Sequence, residues 1–229
     1  MKRFVSYLMA FALAGGLQCA SAQIARSGEI NLLPMYGGFK KSRALRLADA
    51  RFLADSDQRF ASRKAAAAHF AEKGWEFFRK DDLSTAIKRF NQAWLLDSTN
   101  ASAYWGFGVV ESSRHHNTDA LGYFRQSIRH DPTNHRIFVD MALSLIDRYQ
   151  TTSQVSDLED AISLSQLYIA NSHDTEAVID AYERLAVAYF LKHDYVNSWK
   201  YVDSATALNP IAVQHWKVLS ELQKAASRD

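Results

Sequence analysis

The chain contains few of the residues that hold small or turn-rich proteins together: one cysteine, three prolines and nine glycines among 229 residues. A single cysteine excludes a disulfide framework within the chain. The scarcity of glycine and proline argues against a β architecture with many tight turns, and 48% hydrophobic residues provide ample material for a core. At this length one domain is expected. The composition therefore predicts an all-α protein.

Long apolar runs are also rare, and the clearest one covers residues 4–17. It follows a basic start and precedes the small triplet Ala-Ser-Ala at 20–22. This pattern is typical of a secretory signal peptide, whereas a transmembrane helix needs roughly 20 apolar residues. We expect residues 1–22 to be removed by cleavage near Ala22, which places the mature protein in the periplasm or outside the cell.

Cys19 lies inside this segment and would be discarded with it. The alternative is lipid attachment at Cys19. It fits less well, because Gln18 stands where a lipoprotein signal usually has a small residue. We therefore favour cleavage over lipid anchoring.

Net charge of one sign is missing as well. Loss of Lys2 and Arg3 reduces the 27 basic residues to 25, which equals the 25 acidic ones. Nucleic-acid binding normally needs a basic surface that displaces counterions from phosphates. The balance argues against that function, and we expect a protein or peptide partner instead.

The chain does contain an internal repeat of 34 residues. In one frame, glycine, alanine, phenylalanine and asparagine recur at matched positions. The matching pairs are Gly74 and Gly108, Ala86 and Ala120, Phe90 and Phe124, and Asn100 and Asn134. Each unit, 67–100 and 101–134, has two stretches with helical spacing around a polar turn, which predicts a helical hairpin. We expect the glycines to allow close helix contact, the phenylalanines to fill the space beside it, and Asn100 and Asn134 to cap the helices that follow.

Two further units continue the pattern. Residues 179–212 fit it well, with Ala186, Val202 and Ala205 in the small and apolar positions. Residues 135–178 form a degenerate unit with seven extra residues at about 151–157. Ser156 and Glu159 there are predicted to form a capping box that starts the next helix.

These small and aromatic positions resemble the tetratricopeptide repeat family over residues 67–212, although Ser98 and His173 replace its usual terminal proline. The resemblance implies an α-solenoid of stacked helix-turn-helix hairpins. Such arrays need terminal caps. We expect an N-terminal helix at 42–64 and a C-terminal capping helix at 213–229, with residues 23–41 extended.

The first helices of such a stack line a concave groove, which is the default binding site. With the glycines fixing the helix rotation, the predicted groove residues are mostly apolar and aromatic. They are Ala71, Trp75, Phe78, Trp105, Val109, Ser112, Val139, Leu143, Ile146, Val187 and Phe190. This lining suits an amphipathic helix or an extended apolar segment of a partner. Some family members hold a carboxyl terminus with Lys and Asn, which are missing from these positions.

Two alternatives to ligand binding remain open for Trp75 and Trp105. The indoles could pack only against neighbouring helices, or residues 30–38 of the same chain could occupy the groove.

Motifs of catalysis are missing: the sequence has no glycine-rich phosphate loop, no Gly-x-Ser-x-Gly elbow and no His-Glu-x-x-His helix. His115 and His116 are adjacent near a turn, which favours a solvated turn over a metal site. We expect no cofactor and no metal. The resemblance and the signal together imply a non-catalytic scaffold of the bacterial periplasm that supports an envelope assembly or secretion complex, and the alternative is an enzyme or enzyme subunit with an unrecognised site.

Overall fold

A computed structural model describes residues 30–226, and within that range all regular secondary structure is helical, with no β-strand. Two short 3-10 segments, Ile30–Leu32 and Pro34–Gly38, precede eleven helices. These are α1 (Arg43–Arg59), α2 (Arg63–Phe78), α3 (Leu83–Leu96), α4 (Ala101–Ser113), α5 (Asn117–His130), α6 (Ile137–Thr152), α7 (Val155–Asn171), α8 (Thr175–Leu191), α9 (Tyr195–Leu208), α10 (Pro210–Val213) and α11 (Lys217–Ala225). The predicted all-α class is confirmed. The expected signal peptide and Cys19 lie outside the described residues.

The helices from α2 to α9 form four consecutive hairpins: α2 with α3, α4 with α5, α6 with α7, and α8 with α9. The first helices also contact one another in order, α2 with α4, α4 with α6, and α6 with α8. They therefore form one layer of a stack and the second helices form the other. None of the described helices is both long and apolar enough to cross a bilayer.

Glycine and phenylalanine hold the first two hairpins together. Phe90 and Phe124 are fully buried. A Cβ atom added at Gly74 or at Gly106 would overlap the ring of Phe90, and one added at Gly108 would overlap the ring of Phe124. The predicted role of Gly74 and Gly108 is therefore correct, while Gly106, which presses on Phe90 from the next hairpin, was missed.

Side-chain caps start most of the helices. Each capping oxygen accepts a hydrogen bond from the backbone N–H three residues later, as the residues at helix starts commonly do. The capping residues are Ser42, Ser62, Asp82, Asn100, Asp174 and Asp194. The predicted cap by Asn134 is wrong, because α6 begins only at Ile137 and no side chain caps it.

The degenerate unit, residues 135–178, also lacks a helix cap that the sequence predicts. Its extra residues lengthen α6 and α7 to 16 and 17 residues and do not form a loop. Ser153, in the left-handed conformation at φ 56°, ends α6, and α7 resumes at Val155. Ser156 is thus already inside the helix, so the predicted capping box does not form.

The ends of the array also deviate from the predicted boundaries. The helix expected at 42–64 is present as α1 but ends at Arg59, because Phe60 is extended and α2 starts after Ser62. At the other end the capping helix expected from residue 213 begins only at Lys217, and the buried side chains of Trp216 and Leu222 cover α8 and α9.

Residues 30–38 are not extended as expected, since Met35, Tyr36, Gly37 and Gly38 all have positive φ. This N-terminal strap, residues 30–38, lies along α3. The buried side chain of Asn91 donates to the carbonyls of residues 31 and 33 at 3.1 and 2.9 Å. Arg114 donates to the carbonyl of residue 32 at 2.9 Å. The strap is therefore fixed to the first two hairpins by its own backbone carbonyls.

Candidate partner-binding groove

An open cavity of about 410 Å³ lies on the layer of first helices, between α2, α4 and α6. Its walls combine six aromatic and aliphatic side chains with seven polar or charged ones. The lining residues are Trp75, Phe78, Arg79, Trp105, Val109, Ser112, Ser113, His115, Phe124, Arg136, Asp140, Leu143 and Asp147. We call this cavity the groove. Its volume lies within the range of ligand pockets in proteins.

Two indoles dominate one wall of the groove. The ring centroids of Trp75 and Trp105 are 4.5 Å apart, and Phe78 meets Trp75 edge-on at 5.8 Å. Trp75 Nε1 donates to Ser102 Oγ at 2.8 Å, and Trp105 Nε1 donates to Asp140 Oδ2 at 2.7 Å. Because both indole N–H groups have acceptors inside the protein, the rings offer apolar surface to a ligand, and their orientation is fixed before anything binds.

Six of the predicted groove residues line this cavity. They are Trp75, Phe78, Trp105, Val109, Ser112 and Leu143. Their role in binding a partner stays a prediction.

Three others belong to the core and not to the surface: Ala71, Val139 and Ile146 are 1%, 2% and 2% exposed. Ala71 packs with alanines of α3 and α4, and Val139 packs with Tyr168 and helix α8. No atom of these side chains can therefore form much of a groove surface. Val187 and Phe190 are half-buried beside α9 in the last hairpin and do not line the cavity.

Sequence reasoning missed the polar side of the groove, which α6 supplies. Arg136, Asp140, Leu143 and Asp147 follow one another at intervals of four, three and four residues, which places them on one helical face. The predicted face of α6 was rotated relative to this one. The polar residues flanking Leu143 at helical spacing were the available signal.

Partial burial raises the pKa of both carboxyl groups on this face of α6. Asp140 is partly buried, and desolvation of its carboxyl raises its pKa above the usual range, although the hydrogen bond from Trp105 opposes the rise. The pKa of Asp147 is also raised by burial, and the charges of His115 and Arg184 oppose the effect. Arg136 Nη2 binds Asp180 Oδ2 of α8 at 2.9 Å.

The N-terminal strap does not fill the groove. None of residues 30–38 lines the cavity, and the strap lies on α3 in the other layer of the stack. The hypothesis that the chain occupies its own groove with this segment is therefore wrong. The second alternative is correct in part, because Trp75 and Trp105 do pack on each other and on neighbouring helices while still lining the cavity.

The histidine pair separates as its position in a turn suggests. His116 Nδ1 lies 2.7 Å from Oε2 of the buried Glu111, whose other oxygen accepts from Arg114 at 2.8 Å. His115 turns the other way, with φ at 62°, and reaches the groove rim. Across residues 30–226 no three His, Cys, Asp or Glu side chains converge in a way that could hold a metal ion.

Comparison with known proteins gives a likeness of fold. Neither a family model nor a curated protein matches the chain. Among solved structures, PilF from Pseudomonas aeruginosa superposes with a TM-score of 0.60 at 16% identity, over 71% of this chain and 69% of that one. YrrB, described as a TPR protein with an unusual peptide-binding site, matches at 20% identity over 66% of this chain and 89% of its own, with a TM-score of 0.35. At these identities the likeness to PilF shows the architecture alone.

Proposed function

We propose that this chain, whose fold is that of the tetratricopeptide repeat proteins, is a non-catalytic scaffold that holds a segment of another protein in the groove between α2, α4 and α6. The observation that carries the proposal is the pair of indoles, Trp75 and Trp105, held 4.5 Å apart on the open wall of a cavity of about 410 Å³. Buried aromatic anchors and the pockets that receive them supply most of the binding energy in protein interfaces.

The geometry favours an apolar side chain on a helix or an extended segment as the anchor. Leu143 of α6 and Val109 of α4 line the same cavity as the two indoles. Because hydrogen bonds to Ser102 and Asp140 already fix both indoles, binding costs little side-chain entropy on this side of the interface.

We further propose that the scaffold acts in the bacterial periplasm, where it supports an envelope assembly or secretion complex. The support is the sequence pattern of residues 1–22, with its basic start, apolar run and small residues before the expected cleavage site. The equal numbers of acidic and basic residues after Ala22 are consistent with a protein partner and argue against a nucleic acid.

Site-specific photocrosslinking in cells tests the groove. A photoreactive residue replaces Ser112 in the groove or, as a control, Val196, which is 82% exposed on α9. We expect a discrete adduct from position 112 and none from position 196. The adduct should disappear with Trp105→Ala and persist with Trp94→Ala, a tryptophan of α3 whose indole donates to Tyr104.

Loss of the adduct must be separated from loss of the fold, because Trp105→Ala leaves Asp140 without its donor. Leu143→Gln, on the other wall, provides a second groove variant, and thermal unfolding of all variants identifies those that remain folded. An adduct that survives both groove changes in folded protein would contradict the proposal. Turnover of a substrate by the purified chain alone would contradict the non-catalytic role.

A further inference from the structure

Asp147 differs from every other charged side chain of the groove. Its carboxylate is half-buried at the end of the α6 face, and within residues 30–226 no hydrogen bond or ion pair reaches it. His115 and Arg184 act on it only through their charge, from beyond hydrogen-bonding distance. A carboxylate removed from water without a partner is costly, so this position is a candidate for a ligand group.

The other charges around the groove are already balanced inside the protein. Each arginine binds a carboxylate, although Nη1 of Arg136 is buried without a hydrogen-bond partner, and Asp140 accepts from an indole. The pairs are Arg79 with Glu72 at 3.5 Å, Arg136 with Asp180 at 2.9 Å, Arg184 with Glu183 at 2.7 Å, and Asp140 with Trp105 at 2.7 Å. Of the two carboxylates that line the groove, Asp147 is therefore the one that a ligand can complement.

The position of Asp147 sets where that complement must lie. Asp147 follows Leu143 by one helical turn on the same face of α6, which corresponds to about 6 Å along the helix axis. A side chain anchored between Trp105 and Leu143 would thus have a neighbour within reach of the carboxylate.

We infer that the groove selects a partner segment in which a lysine or arginine lies about one helical turn from the apolar anchor and pairs with Asp147. This inference rests on the proposed function and names the chemistry of its ligand. A cation neutralises the unpaired carboxylate in a partly dry site, where a charge-assisted hydrogen bond is stronger than in water. A glutamate at the same place meets a like charge, so the pairing also provides specificity.

A peptide array tests the inference on the full chain. Each 15-residue peptide carries one leucine or phenylalanine anchor, and matched triplets place lysine, norleucine or glutamate three or four residues from it. We expect lysine to improve binding over norleucine about three- to tenfold, and glutamate to weaken it. The preference should vanish in Asp147→Asn and persist in Asp160→Asn, the same change at an exposed position of α7.

The unfolding temperature of Asp147→Asn distinguishes a ligand-binding role from a structural one, because the two roles predict changes of opposite sign. The raised pKa of Asp147 means that folding disfavours its ionised form, so the ionised carboxylate opposes folding above that pKa. Asp147→Asn should therefore raise the unfolding temperature at neutral pH while it removes the lysine preference. A lower unfolding temperature would show that Asp147 stabilises the fold and would overturn the inference.

The outcomes of the array separate the inference from the function on which it rests. Equal binding of lysine and norleucine peptides, both lost with Trp105→Ala, would overturn the charge pairing and keep the groove. No binding by any peptide would contradict the proposed function itself. Self-association in light scattering that Trp105→Ala abolishes would identify a second copy as the occupant and overturn both.

Discussion

The first two hairpins and the last two use the same architecture with different side chains. In the first two, Gly74 and Gly108 on the first helix receive the rings of Phe90 and Phe124 from the second. The last two hairpins contain no glycine at all. At the corresponding positions they have Ala142 with Ser165 and Ala186 with Val202, all of which are buried. The larger residue on the first helix is matched by a smaller one on the second, so the combined volume and not the residue identity preserves the packing.

The two halves also differ in how they use charge. The first half supplies the aromatic residues of the groove, with only local ion pairs in α2 and at the end of α4, whereas ion pairs of the second half join different helices. Arg148 holds Asp157, which is 1% exposed, through two hydrogen bonds of 2.6 and 2.9 Å between α6 and α7. Arg136 joins α6 to α8 through Asp180. The groove thus lies where the aromatic side chains of α2 and α4 meet α6, a helix that ion pairs join to α7 and α8.

The largest expected effect of a single change is in the first half. Phe124→Ala removes a fully buried ring and should lower the free energy of unfolding by about 3 to 5 kcal/mol. Its exposed neighbour provides the control, and Arg125→Ala should cost little. Chemical denaturation measures both. Equal, small losses would show that Phe124 does not hold the hairpin together.

Overpacking should come next. Gly108→Ala places a methyl group against the ring of Phe124 and should lower the free energy of unfolding by about 1 to 3 kcal/mol. The higher helix propensity of alanine offsets only part of this loss. Gly122→Ala is the matched control, because no atom lies within 4 Å of its added Cβ. That change should stabilise the protein by up to about 1 kcal/mol. Stabilisation by both changes, measured by denaturation, would contradict the close contact.

A double-mutant cycle can convert one kind of hairpin into the other. Val202→Phe alone should overpack the last hairpin and cost about 1 to 3 kcal/mol. Combined with Ala186→Gly, which opens the space opposite, it should cost at least about 1 kcal/mol less than the sum of the two single changes. Strict additivity of the unfolding free energies would mean that the two positions do not share one volume.

The smallest expected effect is a difference in unfolding free energy between alanine substitutions at two asparagines, Asn100 and Asn134, that occupy the same position of the repeat. Asn100 Oδ1 accepts the N–H of Ala103 at 2.8 Å, so Asn100→Ala should lower the unfolding free energy by about 1 kcal/mol. Asn134→Ala should change it by less, because Asn134 caps no helix. Equal losses in denaturation experiments would argue that the turn before α6 is capped after all.

The hairpins and the α2 and α4 walls of the groove were predictable from the sequence, because the repeated glycines identify the side of each helix that packs closely on its partner. Gly74 and Gly108 face their partner helices, and this fixed the rotation that places Trp75 and Trp105 on the open side. Helix α6 has no glycine, so its rotation was inferred from the repeat alone. That inference was wrong, because it placed the buried residues Val139 and Ile146 in the groove where the structure has Asp140 and Asp147.

The N-terminal strap was beyond sequence reasoning for a different reason. Its backbone carbonyls accept from Asn91 and Arg114, which lie between 58 and 82 residues away along the chain. No local pattern encodes such contacts, and the run of positive φ from Met35 to Gly38 includes two residues that rarely adopt it.

Hydrogen–deuterium exchange of the full chain with and without the tightest lysine-containing array peptide tests the central claim most directly. Binding in the groove predicts slower exchange in α4 and α6, around Val109 and Leu143, with little change in α5 and α7. Protection confined to α3, α5 and α7 would place the ligand on the opposite layer and contradict the account.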